Sequence, residues 1–193
     1  MPNTKGNLNS SLAQFRQSFT VQDMAIIRQE TEQDFEEIRE VIEEAFNQPD
    51  EADLVEALRT GEKVIISLIA EKDQTTVGHI MFSIASIDGS QAKIAGLAPM
   101  AVLPEYQNQG IGSELMREGL DECLSTGYDA VIVLGYADYF PLFGFKPAAE
   151  FGIQSEWANQ IQDDAFMVLE LHAGALDGIS GIARYADEFS EPT

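Results

Sequence analysis

The feature that most constrains this chain is an apolar stretch that runs into a glycine-containing loop and then into a helical pattern. Residues 97–103 are apolar and end at Pro104, which cannot donate a hydrogen bond to a sheet and therefore ends the predicted strand. Residues 107–112 read QNQGIG, and from Ser113 onward apolar residues recur at helical spacing. We therefore predict a strand, a short loop and a helix in direct succession.

A glycine loop at the start of a helix is suited to binding an anion. The first N–H groups of a helix have no partner inside it, and the helix dipole places a partial positive charge at the same end. Gly110 and Gly112 carry no side chain that would keep an anion away from these groups. A P-loop is excluded because no lysine lies between Gly110 and Ser113, and a dinucleotide fingerprint because Leu115 replaces its third glycine. The loop predicts a phosphate site built from backbone.

The pattern Q-x-x-G-x-G at Gln107, Gly110 and Gly112 resembles the acetyl-CoA signature of the GNAT N-acetyltransferase family. The segment YFPLFGF at 139–145 resembles the aromatic helix ending in Gly-Phe that is the second hallmark of that family. Segments such as GHIMFS and GLAPMAVLPEYQNQGIG resemble its bacterial YhbS-like branch, and the likeness runs from about Met24 into the C-terminal part. The resemblance implies an α/β fold with a mixed, centrally split sheet, the GNAT acyl-CoA N-acyltransferase fold.

The same resemblance implies acetyl-CoA as co-substrate and direct transfer of its acetyl group to a primary amine. The loop would hold the pyrophosphate, and the pantetheine arm would lie in the gap between the strand and residues 130–134. A backbone N–H near residues 100–102 would support the developing oxyanion. The residues expected to bind the cofactor are Met100, Ala101, Val102, Gln107, Asn108, Gln109, Gly110, Ile111, Gly112, Ser113, Phe140 and Phe143.

The catalytic side chains are less well defined by the motif. In this family a tyrosine that protonates the leaving thiolate normally lies four residues before the glycine of Gly-Phe, and here that position is Phe140. Either the adjacent Tyr139 takes the role through a shifted turn or water does, and Tyr139 is then only a packing aromatic. The candidate base is His79, which lies in the predicted strand 76–84 and could face the cleft. The departure at Phe140 keeps a second hypothesis open, a non-catalytic acyl-CoA-binding sensor or regulatory module.

Hydrophobic periodicity and turn residues place the remaining elements. A T-x-x-D capping box at Thr31 and Asp34 predicts the start of the first helix. The helix that begins at Ser113 joins two strands as a crossover, so these two strands should be parallel. The predicted strands are 24–28, 64–70, 76–84, 97–103, 130–134 and 165–171, and the predicted helices are 35–46, 52–58 and 113–124.

Composition and charge exclude several classes of protein. The chain has 193 residues and a net charge of −22, which repels phosphate backbones and argues against nucleic-acid binding. With one cysteine and two histidines, no metal site is expected. The chain has neither an apolar run long enough to span a bilayer nor a secretory signal, so we expect no membrane partner and a cytoplasmic location.

The expected organisation is a polar leader at 1–23 followed by one GNAT N-acetyltransferase domain at 24–193. The expected acceptor is a small-molecule or peptide amine, whose identity the sequence leaves open. Because members of the family are often dimers, the resemblance also makes a homodimer one expected assembly.

Overall fold

A nine-stranded mixed sheet organises the computed structural model, which describes residues 25–162 and 164–190. Three α-helices pack on this sheet within the described residues: α1 (Phe35–Phe46), α2 (Asp50–Thr60) and α3 (Ile111–Ser125). The strands are β1 (Ile26–Gln29), β2 (Val64–Lys72), β3 (Thr75–Ile87), β4 (Ile94–Val102), β5 (Ala130–Leu134), β6 (Lys146–Pro147), β7 (Ile153–Ser155), β8 (Phe166–Glu170) and β9 (Gly181–Arg184).

The strand order confirms the predicted mixed sheet. The main path runs β1-β2-β3-β4-β5-β8-β6, while β9 pairs with both β3 and β7 at one corner. Pairing is antiparallel except between β4 and β5 and between β7 and β9. The helix α3 connects β4 to β5, so the predicted parallel crossover is confirmed.

The first helix begins where the capping box predicts. The Asp34 carboxylate accepts hydrogen bonds from the Thr31 N–H at 2.7 Å and from the Thr31 hydroxyl at 2.8 Å. These contacts satisfy a backbone donor that a helix start would otherwise leave without a partner. From there α1 buries Ile38, Val41 and Ile42 against the sheet and ends at Asn47, whose φ is 57°.

The helices cover opposite faces of the sheet. Helix α3 buries Leu115, Met116 and Cys123 together with Ile80 and Phe82 of β3 on one face. On the other face α1 and α2 pack on a cluster of β2, β3 and β4 residues that includes Ile69, Met81 and Ala101. This arrangement leaves the carboxyl end of β4 and the start of α3 at one edge of the molecule.

The sheet is split between β4 and β5, as the resemblance implied. The two strands pair only from Ile94 to Leu97 on β4 and from Ala130 to Val133 on β5. Directly beyond Leu97, the pairing of β4 with β3 shifts register, so that Ile80 faces Met100 while Phe82 faces Leu97. Pro99 lies within this irregular segment, and it has no N–H to donate to a neighbouring strand. A bulge bends its strand, and here β4 turns away from β5.

Several details differ from the sequence predictions. The segment YFPLFGF forms one 3₁₀ turn, Phe140–Phe143, rather than a longer helix, because Pro141 and the left-handed Gly144 (φ 95°) confine it. Helix α3 begins two residues before Ser113, at Ile111, and the short strands β6, β7 and β9 were not predicted. The predicted leader 1–23 lies outside the described residues, so the domain boundary stays a prediction. None of the described helices is long and apolar enough to cross a membrane.

Candidate active site between the diverging strands

The opening between β4 and β5 exposes backbone groups of β4. The Leu103 N–H donates to the Val77 carbonyl of β3 at 3.0 Å, so the N–H of Leu103 faces β3. Because successive residues of a strand point their N–H groups to opposite edges, the N–H groups of Met100 and Val102 face the opening instead. The opening therefore has hydrogen-bond donors along its β4 edge.

The loop at the outer end of this opening presents a second set of donors. Asn108 and Gly110 have positive φ values, 58° and 91°, and together they turn the chain into α3. The first hydrogen bond inside the helix runs from the Glu114 N–H to the Gly110 carbonyl at 3.0 Å. The N–H groups of residues 111–113 consequently have no partner within the helix. Their position at a helix N-terminus favours an anion such as a phosphate.

Two glutamine side chains brace the same loop. The Gln107 side-chain amide donates to the Val102 carbonyl at 3.0 Å, and the Gln109 amide donates to the Glu105 carbonyl at 2.8 Å. Gln107 thereby ties the loop to the end of β4, while its neighbours Asn108 and Gly110 provide the turn. The glutamine of the motif thus holds the loop in shape, and the backbone is left free to bind a ligand.

Tyr139 closes the opening from the β5 side. A Cβ built on Gly112 would lie 3.4 Å from the Tyr139 hydroxyl and 3.7 Å and 3.8 Å from the side chains of Val102 and Met100. Glycine at 112 therefore leaves room between helix, strand and tyrosine. Burial raises the pKa of Tyr139 more than its hydrogen bond with Ser113 lowers it. The phenol is protonated at neutral pH, which is the form that can give up a proton.

Two cavities meet at Met100 and Tyr139. The first has a volume of about 350 Å³ and extends toward the loop. The second has a volume of about 540 Å³, is lined also by Tyr136 and Asp138, and is open to solvent. The first is lined by Met100, Ala101, Val102, Tyr106, Gln107, Asn108, Gly110, Gly112, Ser113 and Tyr139. The site thus has one arm lined by the loop and a second, open arm that lacks the loop residues.

Most residues predicted to bind the cofactor line the first cavity, and a minority do not. Ile111 and Phe140 are 5% and 7% exposed and belong to the core beside α3. The Phe140 ring packs on Gly135, where a Cβ would come 2.4 Å from it, so the expected tyrosine position holds a core side chain. Gln109 and Phe143 line neither cavity. A binding role stays a prediction for all twelve residues, and these four have no cavity contact to support it.

The side chain of the predicted base, His79 of β3, lies on the face of the sheet that α1 and α2 cover and not in the cleft. Its side chain is completely buried, with Nε2 2.8 Å from the Ser67 hydroxyl and 3.5 Å from the Glu30 carboxylate. Glu30 in turn accepts two hydrogen bonds from Arg59, at 2.6 Å and 2.9 Å. Burial lowers the pKa of His79 below its usual range, and hydrogen bonding to Glu30 opposes this. His79 lines neither cavity, so a catalytic role for it stays a prediction without a contact to support it.

The structure also adds residues that sequence reasoning missed. Tyr106, Tyr136 and Asp138 line the two cavities. Tyr106 lies within the segment GLAPMAVLPEYQNQGIG, and the other two lie just before YFPLFGF. Arg117 is exposed one turn after Ser113, with its guanidinium 5.8 Å from the centre of the Phe143 ring. The sequence could have indicated Arg117 as a neighbour of the loop, because it lies four residues after Ser113 and residues four apart share a helix face.

Comparison with known proteins places the chain in a family. Residues 26–148 match the family model described as an acetyltransferase (GNAT) domain. The uncharacterized N-acetyltransferase YhbS of Escherichia coli K12 is 32% identical over 166 residues, which cover 86% of this chain and 98% of YhbS. The uncharacterized N-acetyltransferase YjhQ of the same organism is 42% identical over 120 residues, 60% of this chain and 66% of YjhQ.

Solved structures agree with the sequence relatives. A crystal structure of E. coli YhbS in complex with CoA superposes with a TM-score of 0.83 at 32% identity, covering 87% of this chain and 93% of that one. A GNAT family acetyltransferase of Brucella melitensis in complex with acetyl-CoA has a TM-score of 0.72 at 34% identity, with 86% and 97% covered. The family match, the relatives and the split sheet agree, and the chain belongs to the GNAT acetyltransferase family.

Proposed function

We propose that this protein transfers the acetyl group of acetyl-CoA to a primary amine directly, without an acyl-enzyme. The observation that carries the proposal is a single opening with backbone donors along its β4 edge and at its outer end. The N–H groups of residues 111–113 would hold the pyrophosphate, and the Met100 N–H would face the thioester carbonyl. Relatives with 32% and 34% identity have been crystallised with CoA and acetyl-CoA, which supports the same co-substrate here.

In the proposed reaction the nitrogen of a neutral amine forms a bond to the thioester carbon, and the carbon–sulfur bond then breaks. The Met100 N–H would donate to the carbonyl oxygen as its negative charge develops. The leaving thiolate would take a proton from the Tyr139 hydroxyl or from water, and the attacking nitrogen would release its extra proton to water. Two observations support this role for Tyr139: its hydroxyl lies next to Gly112, and its side chain lines both cavities.

The open second cavity is the proposed route of the amine. It shares Met100 and Tyr139 with the first cavity but none of the loop residues, so an amine and a thioester would meet at these two residues. Tyr136, 84% exposed, and the exposed carboxylate of Asp138 stand at its mouth. An aromatic face and a carboxylate both attract an ammonium group. The net charge of −22 acts in the same direction at long range.

One observation favours a second function, a sensor that binds acyl-CoA without turnover. The position of the family's tyrosine is Phe140, whose ring is buried and offers no hydroxyl. A coenzyme A thiolate is a good leaving group, however, so the absence of this hydroxyl does not by itself abolish transfer. Binding alone therefore does not separate the two functions, and turnover must be measured.

The test has two stages. Calorimetric titration with acetyl-CoA, CoA and ATP establishes the ligand, and we expect the first two to bind and ATP not to bind. Thiol release from acetyl-CoA is then followed with a panel of small amines and peptide N-termini. Turnover that depends on an added amine supports the enzyme, whereas binding with no turnover across the panel supports the sensor. Failure of both coenzymes to bind would contradict both functions.

A further inference from the structure

A tyrosine from the C-terminal segment reaches the inner end of the opening between β4 and β5. Tyr185 directly follows β9 and lies outside the residues that the family model matches. Its ring packs on Gly96, where a Cβ would come 2.6 Å and 2.7 Å from two ring carbons. Gly96 is one residue before Leu97, the last β4 residue that pairs with β5. The ring therefore fits only beside a glycine, at the point where the strands begin to diverge.

The hydroxyl of Tyr185 extends toward the β5 side of the same point. The Gly135 N–H donates to the Ala165 carbonyl at 2.9 Å, so Gly135 faces away from β4 and the backbone of the preceding Leu134 faces the opening. The Leu134 backbone is the polar group that approaches the Tyr185 hydroxyl. The hydroxyl is buried and forms no hydrogen bond of normal geometry within the part of the chain that the structure describes. We call the point where β4 and β5 diverge the fork. Tyr185 thus spans the fork, from Gly96 on β4 to Leu134 on β5.

Neighbouring residues fix this side chain in place. The Tyr185 N–H donates to the Glu156 carboxylate at 2.9 Å. The ring stacks on Trp157 with 5.4 Å between ring centres and lies 4.6 Å from the centre of the Phe189 ring. Only 7% of Tyr185 is exposed. A side chain held by a backbone bond and two aromatic contacts is poorly able to move aside for a ligand.

This position matters because of the direction in which a bound pantetheine arm would run. The phosphate-binding loop follows the outer end of β4 at Val102. At the usual rise of a strand, this end lies about 17 Å from Leu97. An arm that starts at the loop and extends along β4 therefore carries its acyl end toward the fork. The buried ring of Tyr185 packs on Gly96, next to the last paired residue Leu97, and so lies at the point toward which that end would extend.

We propose that Tyr185 forms the end wall of the acyl site and restricts the bound thioester to a short acyl group such as acetyl. The inference rests on the proposed function, because it assumes that an acyl-CoA occupies the opening. A longer acyl chain would have to enter the space that the phenol ring fills, between Gly96 and Leu134. The restriction is steric, so the ring and not the hydroxyl should provide it.

The test compares CoA, acetyl-CoA and butyryl-CoA by calorimetric titration of the full chain, using the wild type, Tyr185→Ala and the ring-retaining control Tyr185→Phe. We expect the wild type and Tyr185→Phe to bind butyryl-CoA at least about tenfold more weakly than acetyl-CoA. Tyr185→Ala should reduce that ratio to about threefold or less while its affinity for CoA changes by less than about twofold. CoA has no acyl group, so its binding tests the proposed function alone.

Several results would overturn the inference. Equal affinity of the wild type for acetyl-CoA and butyryl-CoA would do so without any variant. A folded Tyr185→Ala that keeps the wild-type ratio, or a Tyr185→Phe that loses it, would also do so. Thermal unfolding establishes that each variant is folded, and Tyr185→Leu replaces the alanine variant if that one does not fold. Failure of all three ligands to bind the wild type would overturn the proposed function and this inference with it.

Discussion

The hydroxyl of Tyr139 lies beside Gly112, so that a Cβ on this glycine would be in van der Waals contact with the phenolic oxygen, at 3.4 Å. Gly112 is inside the first turn of α3 and does not have a positive φ, so glycine is not required there by backbone conformation. What the missing side chain provides is space, at the junction of helix, strand and tyrosine. Stability and ligand binding should therefore respond to substitution in opposite directions.

We predict that Gly112→Ala stabilises the protein while it weakens CoA binding. Alanine in place of glycine in a helix contributes about 0.5–1 kcal/mol. The added methyl group would occupy the first cavity and reduce CoA affinity by about tenfold, or about 1.4 kcal/mol. Thermal unfolding and calorimetric titration measure the two effects. A variant with unchanged CoA affinity would mean that the ligand does not pass Gly112.

Tyr139→Phe is predicted to slow thiol release and to leave CoA affinity within about threefold of the wild type. A positioned proton donor contributes typically 10²–10⁴-fold, and a thiolate needs the least help, so we expect a loss of roughly 10- to 100-fold. The measurement is steady-state thiol release with whichever amine the panel identifies. Wild-type turnover in Tyr139→Phe would leave Tyr139 as a packing residue.

The matched variant for this prediction is Phe140→Tyr, which restores the residue type that the family has at this position. Because Phe140 is 7% exposed and packs on Gly135, the new hydroxyl would be buried among apolar groups. An unsatisfied buried hydroxyl costs about 1–3 kcal/mol. We therefore expect lower stability and no rescue of Tyr139→Phe, as judged by urea unfolding and thiol release.

The sequence predicts the loop well because the signal there is local. Gly110, Gly112 and the start of α3 lie within a few residues of each other, and glycine conformation and helix termini act over that range. The capping box at Thr31 and Asp34 is local in the same way. The split of the sheet was expected from resemblance, although Pro99 within β4 provides a physical reason for it.

The remaining features depend on contacts between residues far apart in the chain. Strand alternation assigns His79 to one face of β3, but it does not say that α1 and α2 cover this face. Tyr185 reaches Gly96 only because the short strand β9 pairs with β3, and a four-residue strand has a weak sequence signal. Tyr136 and Asp138 line a cavity because β5 ends just before them while β4 continues.

The Glu30–Arg59 pair predicts how stability depends on pH. Burial alone would raise the pKa of Glu30, but hydrogen bonds from His79, Arg59 and Ser67 together lower it to about 2. An unfolded glutamate has a pKa of about 4.3. A lowered pKa stabilises the folded state above the unfolded value, so this contribution is present above about pH 5 and is lost as pH falls toward 2.

Glu30→Gln should therefore destabilise the protein at pH 7 by about 3 kcal/mol, because it leaves the partly buried Arg59 guanidinium without its charged partner. The variant should also lose part of the decrease in stability between pH 5 and pH 3. Urea unfolding at several pH values measures both. The control is Glu43→Gln, whose carboxylate pairs with Arg39 at the surface of α1 and should matter little. Parallel pH profiles for the wild type and Glu30→Gln would contradict the assignment.

Arg117 is predicted to strengthen CoA binding through its charge. A protein of net charge −22 repels an anionic ligand such as CoA, so a cation near the phosphate-binding loop has a large relative effect. Arg117 lies one turn after Ser113, and within the described ranges it forms no salt bridge that would neutralise it. Its guanidinium is therefore available to a phosphate of the ligand.

Arg117→Ala should weaken CoA binding by about three- to tenfold at low ionic strength, and the difference should shrink at about 0.5 M salt, where exposed charges are screened. Arg39→Ala is the control, because Arg39 is engaged by Glu43, Asp53 and Glu56 on α1 and α2. Calorimetric titration of both variants at two salt concentrations makes the comparison. An equal effect of the two substitutions would show only the general charge of the protein, whereas a loss confined to Arg117→Ala would locate the phosphate beside α3.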